Sequence, residues 1–556
     1  MLKISVVVAV YNPGRDIDEL LTSIDAQSMS AEEFEVIFVD DDSTDGTRER
    51  LQEWAGERAN IQVLHNTPNS GWPGRPRNLG IDVARGEYLF FADNDDKLTP
   101  DALTSMYDYA RENDSDVVIP KEIGVGPGRS VPRALFRRNI PDAKLVRDPI
   151  LGILTPHKLV RTAMVREHRI RFPEGRVRLE DHFFMMSCYF AAQRISVFAD
   201  APCYYWMRRT GSGDNASFSV ADPVMYYQSV ERVLGVVEVH TEPGVFRDKL
   251  YSHWYQAKML ARLRGGFLLE QPEDYQESLL TELRRVSAKF GLDERLFPYL
   301  GAGSRARARL LLHGTMDEIR ALASAERGVT QRVRLRDVRW TDDGKLSLSI
   351  DSEFVYADGY PITMQRDGDR VRWDVARRVP EVSLEPIDVS DIAGGVRLHT
   401  LLSDRRTMEL QFCEADIRPT TGDRLGAHSD VLIDPAEAFR DKPSETVLDL
   451  RVRLNGLGWA SEVRLPVGEV TTLSSGPFLG DRRVEVYATK GYRKLSMRLV
   501  APQTGRSGSA KPTSLREGRT ARLRWEAAHY ARGALRRARR GAGRTRRAVR
   551  GRLRRG

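Results

Sequence analysis

Within the first hundred residues, three short apolar runs each break off at acidic or amide residues and are followed by an amphipathic segment, and this repeat restricts the chain to few folds. The runs are Ile4 to Val10, Phe34 to Val39 and Tyr88 to Ala92. They are too short for helices and rich in β-branched or aromatic residues, so they read as strands buried on both faces. Between them, Ile17, Leu20, Leu21 and Ile24 recur at helical spacing, with Asp16 placed to cap, and Leu51 and Trp54 share a face after Thr47. Ile61 to Leu64 adds a strand, and a helix carrying Arg77, Asn78, Ile81 and Ala84 follows the turn-rich stretch from Asn66 to Gly74. A helix from Pro100 to about Asn113 and a strand from Asp116 to Pro120 continue the series. Alternation with short connections predicts an α/β domain, a parallel sheet covered by helices on both faces.

In open sheets of this kind a ligand lies beyond the carboxyl ends of the strands. Three such ends carry polar groups: Tyr11-Asn12, Asp40-Asp41-Asp42, and Asp93-Asn94-Asp95-Asp96. Asp93 and Asp95, on alternate positions, suit a hard divalent cation such as Mg²⁺ or Mn²⁺, which prefers oxygen ligands and shares its shell with phosphate. The same acids also read as a solvated turn ahead of the helix begun at Thr99-Pro100.

A chain of 556 residues exceeds one core, and about two to four domains are expected. With 41% hydrophobic and 29% charged residues it is too polar for a polytopic membrane protein. No apolar run approaches the roughly 20 residues of a spanning helix, and Met1 to Val10 is too short for a signal peptide, which predicts a cytoplasmic protein. Cys188, Cys203 and Cys413 have no metal-ligand spacing and suggest no disulfide framework. The net charge of +8 is uneven: from Arg516 onward sixteen Arg face two Glu, a local +14, so residues 1–515 carry −6.

Several strings occur in a familiar order: Val8-Ala9-Val10-Tyr11-Asn12, Val39 to Asp45, Asn69-Ser70-Gly71-Trp72-Pro73-Gly74-Arg75-Pro76-Arg77-Asn78, Asp93 to Asp96, and Glu180-Asp181. Together they resemble family-2 inverting glycosyltransferases of the GT-A fold. More narrowly, Pro73 to Asn78 and Arg161-Thr162-Ala163 resemble the poly(ribitol-phosphate) N-acetylglucosaminyltransferases that decorate wall teichoic acid. The resemblance implies a UDP-sugar donor, UDP-GlcNAc first, and a polyol-phosphate acceptor from the cell envelope. It implies that Tyr11 flanks the uracil, that Asp41 accepts from its imide edge, and that Ala9 lines the same pocket. Asn69 and Arg77 become donor-site residues. Asp95 becomes the direct metal ligand, with Asp93 shared between ribose and metal-bound water. Asp181 becomes the base that takes the acceptor proton, Glu180 a binder of sugar or acceptor hydroxyls, and Arg208 and Arg209 a basic pair over the diphosphate. His157-Lys158 lies on an approach to the site in the same family. Trp72 stands where close relatives often have Gly. A neutral glycan acceptor, or a non-catalytic carbohydrate-binding scaffold, are the alternative readings.

The transferase region is expected over residues 1–220. Residues 221–328 keep helical spacing, as in Val230, Val233 and Leu234, and read as a helical linker. Residues 329–502 alternate apolar and polar positions, as in Arg332 to Val338 and Lys345 to Ile350, and predict one or two β-sandwich units. By analogy with the teichoic acid enzymes, this region implies a homo-oligomer, a trimer. Residues 503–556 form the basic tail, read either as solvated and disordered or as a helix on the inner membrane surface; nucleic acid is not the expected partner, since aromatic residues are sparse there.

Overall fold

The structure, a computed structural model, describes residues 2–126, 131, 133–208, 220–407, 409–420, 423–440, 442–468 and 475–501. The tail expected over 503–556 lies outside them.

The amino-terminal region alternates as its pattern dictates: β1 (Ile4–Val10), α1 (Ile17–Asp25), β2 (Phe34–Asp40), α2 (Thr47–Gly56), β3 (Ile61–His65), α3 (Gly74–Val83), β4 (Tyr88–Asp93), β5 (Lys97–Leu98), α4 (Ala102–Glu112) and β6 (Val117–Val125). β7 (Leu159–Arg161), α5 (Thr162–Glu167), α6 (Glu180–Ala191) and β8 (Ile195–Met207) complete it. The sheet order is β3-β2-β1-β4-β7-β6-β8-β5. Side chains alternate between two cores. Val7, Ile37, Leu89 and Phe91 face one, shared with Ile81 and Phe184; Val6, Val8, Phe38 and Phe90 face the other, with Leu20, Leu51 and Met106. Each fully buried Phe contributes about 2–3 kcal/mol. Asp16 sits at the start of α1, yet its side chain makes no cap bond.

The sheet is mixed rather than wholly parallel. β1 pairs in parallel with β2 and β4, but β7 runs antiparallel between β4 and β6. Its register sets Tyr88 opposite Arg161 and Phe90 opposite Leu159, so the residues just before β7 arrive beside the carboxyl end of β4. β6 is also longer than expected. β8 runs from Ile195 through Met207 because register shifts around Lys121 absorb the chain where Ala201-Pro202 would otherwise end the pairing.

Helix α3 lies directly on β1. A methyl group at Gly80 would come within 2.3 Å of Val7 Cγ1, and one at Gly74 within 2.2 Å of the Pro173 carbonyl oxygen. Glycine at Gly80 therefore brings α3, with Arg77, against the sheet, and glycine at Gly74 brings its start against the loop at Pro173.

Helices α7 (Pro223–His240), α8 (Val245–Trp254), α9 (Gly265–Leu268), α10 (Glu273–Phe290), α11 (Ala302–His313) and α12 (Met316–Glu326) follow, with a π-helical turn at Tyr255–Met259. Beyond them the chain is β-rich. One sheet contains Thr330–Trp340, Leu346–Val355 and Gly426–Ile433; another contains Arg397–Asp404, Val447–Gly456 and Leu495–Val500. They meet where Phe354 of the first approaches Trp459 beside the second, ring centres 6.3 Å apart. Among the described residues, no helix is long and apolar enough to cross a membrane.

Candidate active site

The strand ends open onto a cleft of about 690 Å³. Ala9, Tyr11, Asp41, Asn69, Arg77, Asp93, Asp95, Glu180 and Asp181 all line it. Residues separated by more than 170 positions thus share one cavity. Arg208 is not among the lining residues; its N–H donates to the Val125 carbonyl and extends the β8 pairing. Arg209 lies outside the described residues.

On the β2 side the acids are largely committed to the loops. Asp45 accepts from the Gly14 amide at 2.9 Å and from the Thr47 amide at 3.2 Å, and Asp40 accepts from Arg48 at 3.0 Å. Asp41 accepts from Asn66, from the Ser70 hydroxyl at 2.8 Å and amide at 3.1 Å, and from Asn69 at 3.2 Å. The Asp41 carboxylate expected to meet an imide therefore already clamps the 66–70 loop. Asn69 assists by donating to the Asp41 carbonyl at 2.6 Å. Tyr11 stays about half exposed, its ring available at the mouth.

On the opposite wall, α6 begins with the acidic pair. Leu179 immediately before it is left-handed, at φ 57°, a conformation that costs a non-glycine residue about 1–3 kcal/mol. This bend starts the helix at Glu180 and turns both carboxylates to the cleft. Asp181 accepts from the His182 amide at 2.8 Å. Burial raises its carboxyl above the usual carboxylate range against the opposing pull of that bond, Lys258 and Arg77. Glu180 is pushed up to about 7, by burial first and then by the charge of Asp181. A carboxyl held near neutrality is suited to accepting a proton.

Arg77 joins the two walls. Its guanidinium donates to Asp93 at 2.9 Å and reaches Glu180 at 3.4 Å. Asp93 also meets His157 Nε2 at 3.3 Å. Burial opposes its ionisation, but His157 and Arg77 outweigh that and hold it well below the usual range.

Behind Asp93 lies a charged layer of which the sequence reading placed His157-Lys158 on an approach to the site without a role and did not single out Glu122, Tyr204 or Thr155. His157 Nδ1 is 3.5 Å from Glu122, and Lys158 Nζ donates to Glu122 at 2.9 Å and to Thr155 at 2.7 Å. His157 stacks on Tyr204 with ring centres 4.2 Å apart. The Tyr204 hydroxyl accepts from the Asp93 amide at 3.0 Å and donates to Asp96 at 2.8 Å. Burial works against charge on His157, yet Asp93 and Glu122 carry its pKa up to about 9. The signal for these residues was the antiparallel entry of β7, which periodicity does not encode. Lys258 and His253 also reach the cleft from the helical region.

Two donor sets could receive a cation. Asp93, Asp96 and His157 place ligand atoms within 4.8 Å of one another. In that set Asp96 already accepts from Tyr204 at 2.8 Å and from the Met207 amide at 2.6 Å. Asp93 and Asp95 both line the cleft, where a hard cation would meet carboxylates.

A GT-A-type sheet, acids at the end of its fourth strand and a carboxylate pair across the same cleft define the nucleotide-diphospho-sugar transferase class. Residues 5–200 match Glycosyl transferase family 2 and residues 223–323 match the Glycosyl transferase TarS linker domain, together more than half of the chain. The chain belongs to glycosyl transferase family 2. It is 38% identical over 237 residues to a poly(ribitol-phosphate) beta-glucosyltransferase of Bacillus spizizenii, covering 43% of this chain and 37% of the relative. It is 34% identical over 279 residues to the poly(ribitol-phosphate) beta-N-acetylglucosaminyltransferase TarS of Staphylococcus aureus, covering 49% and 48%. The matches thus span half or less of these curated relatives. The crystal structure of S. aureus TarS 1–349 in complex with UDP-GlcNAc superposes with a TM-score of 0.53 at 27% identity, over 65% of this chain and 98% of that one.

Proposed function

We propose that this protein transfers a sugar from a UDP-sugar, UDP-GlcNAc in the first instance, to a hydroxyl of a cell-envelope polyol-phosphate polymer, with inversion at the anomeric carbon. The observation that carries the reading is the placement of Asp181, with a raised carboxyl, in the cleft that holds Asp93 and Asp95. The poly(ribitol-phosphate) activities named for the relatives and the UDP-GlcNAc complex of TarS support the substrate classes.

In this mechanism Asp181 takes the proton of an acceptor hydroxyl. The freed oxygen attacks the anomeric carbon from the face opposite the diphosphate, the bond to the diphosphate oxygen breaks with its electron pair, and UDP departs. An α-linked donor gives a β-linked product. Mn²⁺ or Mg²⁺ held by Asp93 and Asp95 would neutralise charge on the departing diphosphate. Arg77 keeps Asp93 and Glu180 at fixed separation, and Tyr11 offers a face to the base.

The reading extends to a cytoplasmic location, with peripheral contact at the inner membrane face through the basic tail, and, by analogy with the teichoic acid enzymes, to a homo-oligomer. Incubating the purified chain with UDP-GlcNAc or UDP-glucose, Mn²⁺ and poly(ribitol phosphate) tests the main claim. A β-linked product on the polymer is expected; turnover only onto neutral glycans, or UDP-sugar binding without turnover, would displace it. Mass photometry of the same preparation reads the oligomer.

A further inference from the structure

Trp72 is held between the two walls of the cleft by contacts that family membership does not explain. It follows Gly71, left-handed at φ 75°, and its carbonyl lies 3.0 Å from the Ser70 hydroxyl oxygen. Since Asp41 holds Ser70 through its amide at 3.1 Å, the chain two residues before the indole is anchored to the end of β2. The indole N–H donates to Glu180 at 3.2 Å, so the far edge is anchored to α6. The Arg178 guanidinium lies over the ring, 5.1 Å from its centre. Trp72 remains half-buried and lines the cleft.

From these contacts we infer that Trp72 is a specificity-determining residue that forms a wall of the subsite for the transferred hexose, packing its indole against the apolar C–H face of the pyranose. The inference rests on the UDP-sugar reading of the cleft and deepens it. The location follows from what Trp72 touches. Glu180 adjoins the proposed base, and Arg77 ties Glu180 to Asp93 on the diphosphate side, so a residue bonded to Glu180 borders the space between diphosphate and base. That space is where the hexose must lie during in-line displacement. A rigid aromatic surface with a polar edge suits a sugar, whose ring offers C–H groups on one face and hydroxyls around its rim. Glu180 has one oxygen on Trp72 and the other towards Arg77, which fixes the carboxylate beside the indole.

The test separates sugar from nucleotide. Affinities of the full chain for UDP, UDP-GlcNAc and UDP-glucose are measured with Mn²⁺ for wild type, Trp72→Phe and Trp72→Ala. The alanine variant should lose about tenfold in the ratio of UDP-sugar to UDP affinity, and phenylalanine, which keeps a ring, less than threefold. Retained UDP affinity shows that the variants are folded. A ratio unchanged within threefold in Trp72→Ala, or lost equally in both variants, overturns the inference. Wild-type protein that binds neither UDP nor a UDP-sugar instead sinks the functional reading beneath it.

Discussion

Arg77 Nη2 lies 2.9 Å from Asp93 Oδ1, with the arginine side chain only 6% exposed, and the same guanidinium turns its second nitrogen towards Glu180. One cation therefore fixes the distance between the acid at the end of β4 and the acid at the start of α6. Its charge is buried among Asp93, Glu180 and Asp181, and these carboxylates outweigh the burial that would otherwise lower its pKa.

Replacing Arg77 tests that role. Arg77→Ala leaves two carboxylates facing each other with no cation between them, and breaking a buried pair costs about 3 kcal/mol or more. Arg77→Lys keeps the charge but replaces a fork by a point, which cannot hold both partners in plane. Alanine is expected to lower the urea midpoint measurably. Lysine should retain most of the stability while losing about 100-fold in kcat/KM. Equal stability and activity in all three proteins would show that the two walls are held by other means.

The proposed division of labour separates two aspartates by readout. Asp181→Asn should bind UDP-sugar normally by calorimetry but lose about 10²–10⁴ in kcat, the usual scale of general base catalysis. Asp95→Asn should instead raise the Mn²⁺ concentration needed for half-maximal donor binding. A wild-type rate in Asp181→Asn would remove it as the base.

The pH profile follows from the carboxyl pair on α6. Glu180 is raised to about 7 and Asp181 above its ordinary value, and the base must be ionised to act. kcat/KM should accordingly rise with pH along a limb lying above the usual carboxylate range. For stability the sign is the reverse of an ordinary ion-paired acid: folded Glu180 keeps its proton up to about 7 while the ordinary carboxyl releases it near 4.5. Between those values the folded state binds more protons, so this group's contribution is present below the window and lost as pH rises through it. Urea midpoints of wild type and Glu180→Gln across pH 5 to 8 read the difference.

The parts of the site that were legible in the sequence are those written along single elements. Asp93 and Asp95 end an apolar run, and the helix following Glu180-Asp181 shows its apolar positions at Phe184, Met185 and Cys188. Asp41 was placed in the right loop, but its engagement with Asn66, Asn69 and Ser70 depends on how that loop folds back. His157-Lys158 was placed on an approach to the site but given no role, and Glu122 was missed, because a three-residue antiparallel strand brings the first two to the back of Asp93, and the pairing of Glu122 with Tyr204 depends on a bulge. The wall made by Trp72 and Glu180 spans 108 positions, and no periodicity reports such a contact.

The layer behind Asp93 yields the last prediction. Lys158 and Glu122 are both fully buried and 2.9 Å apart, and Glu122 also lies beside His157, whose charge and that of Lys158 outweigh burial and hold its carboxyl down to about 2. Removing the lysine alone leaves the fully buried Glu122 carboxylate with only the His157 imidazole beside it, a group that Asp93 also faces. Lys158→Met should therefore cost about 3–5 kcal/mol by urea denaturation. Adding Glu122→Gln removes the uncompensated charge while keeping the side chain's volume, and should recover a large part of that loss. A cycle through both single variants and the double variant measures the coupling. If the two losses simply add, Lys158 and Glu122 act independently and the layer does not brace Asp93 as a unit.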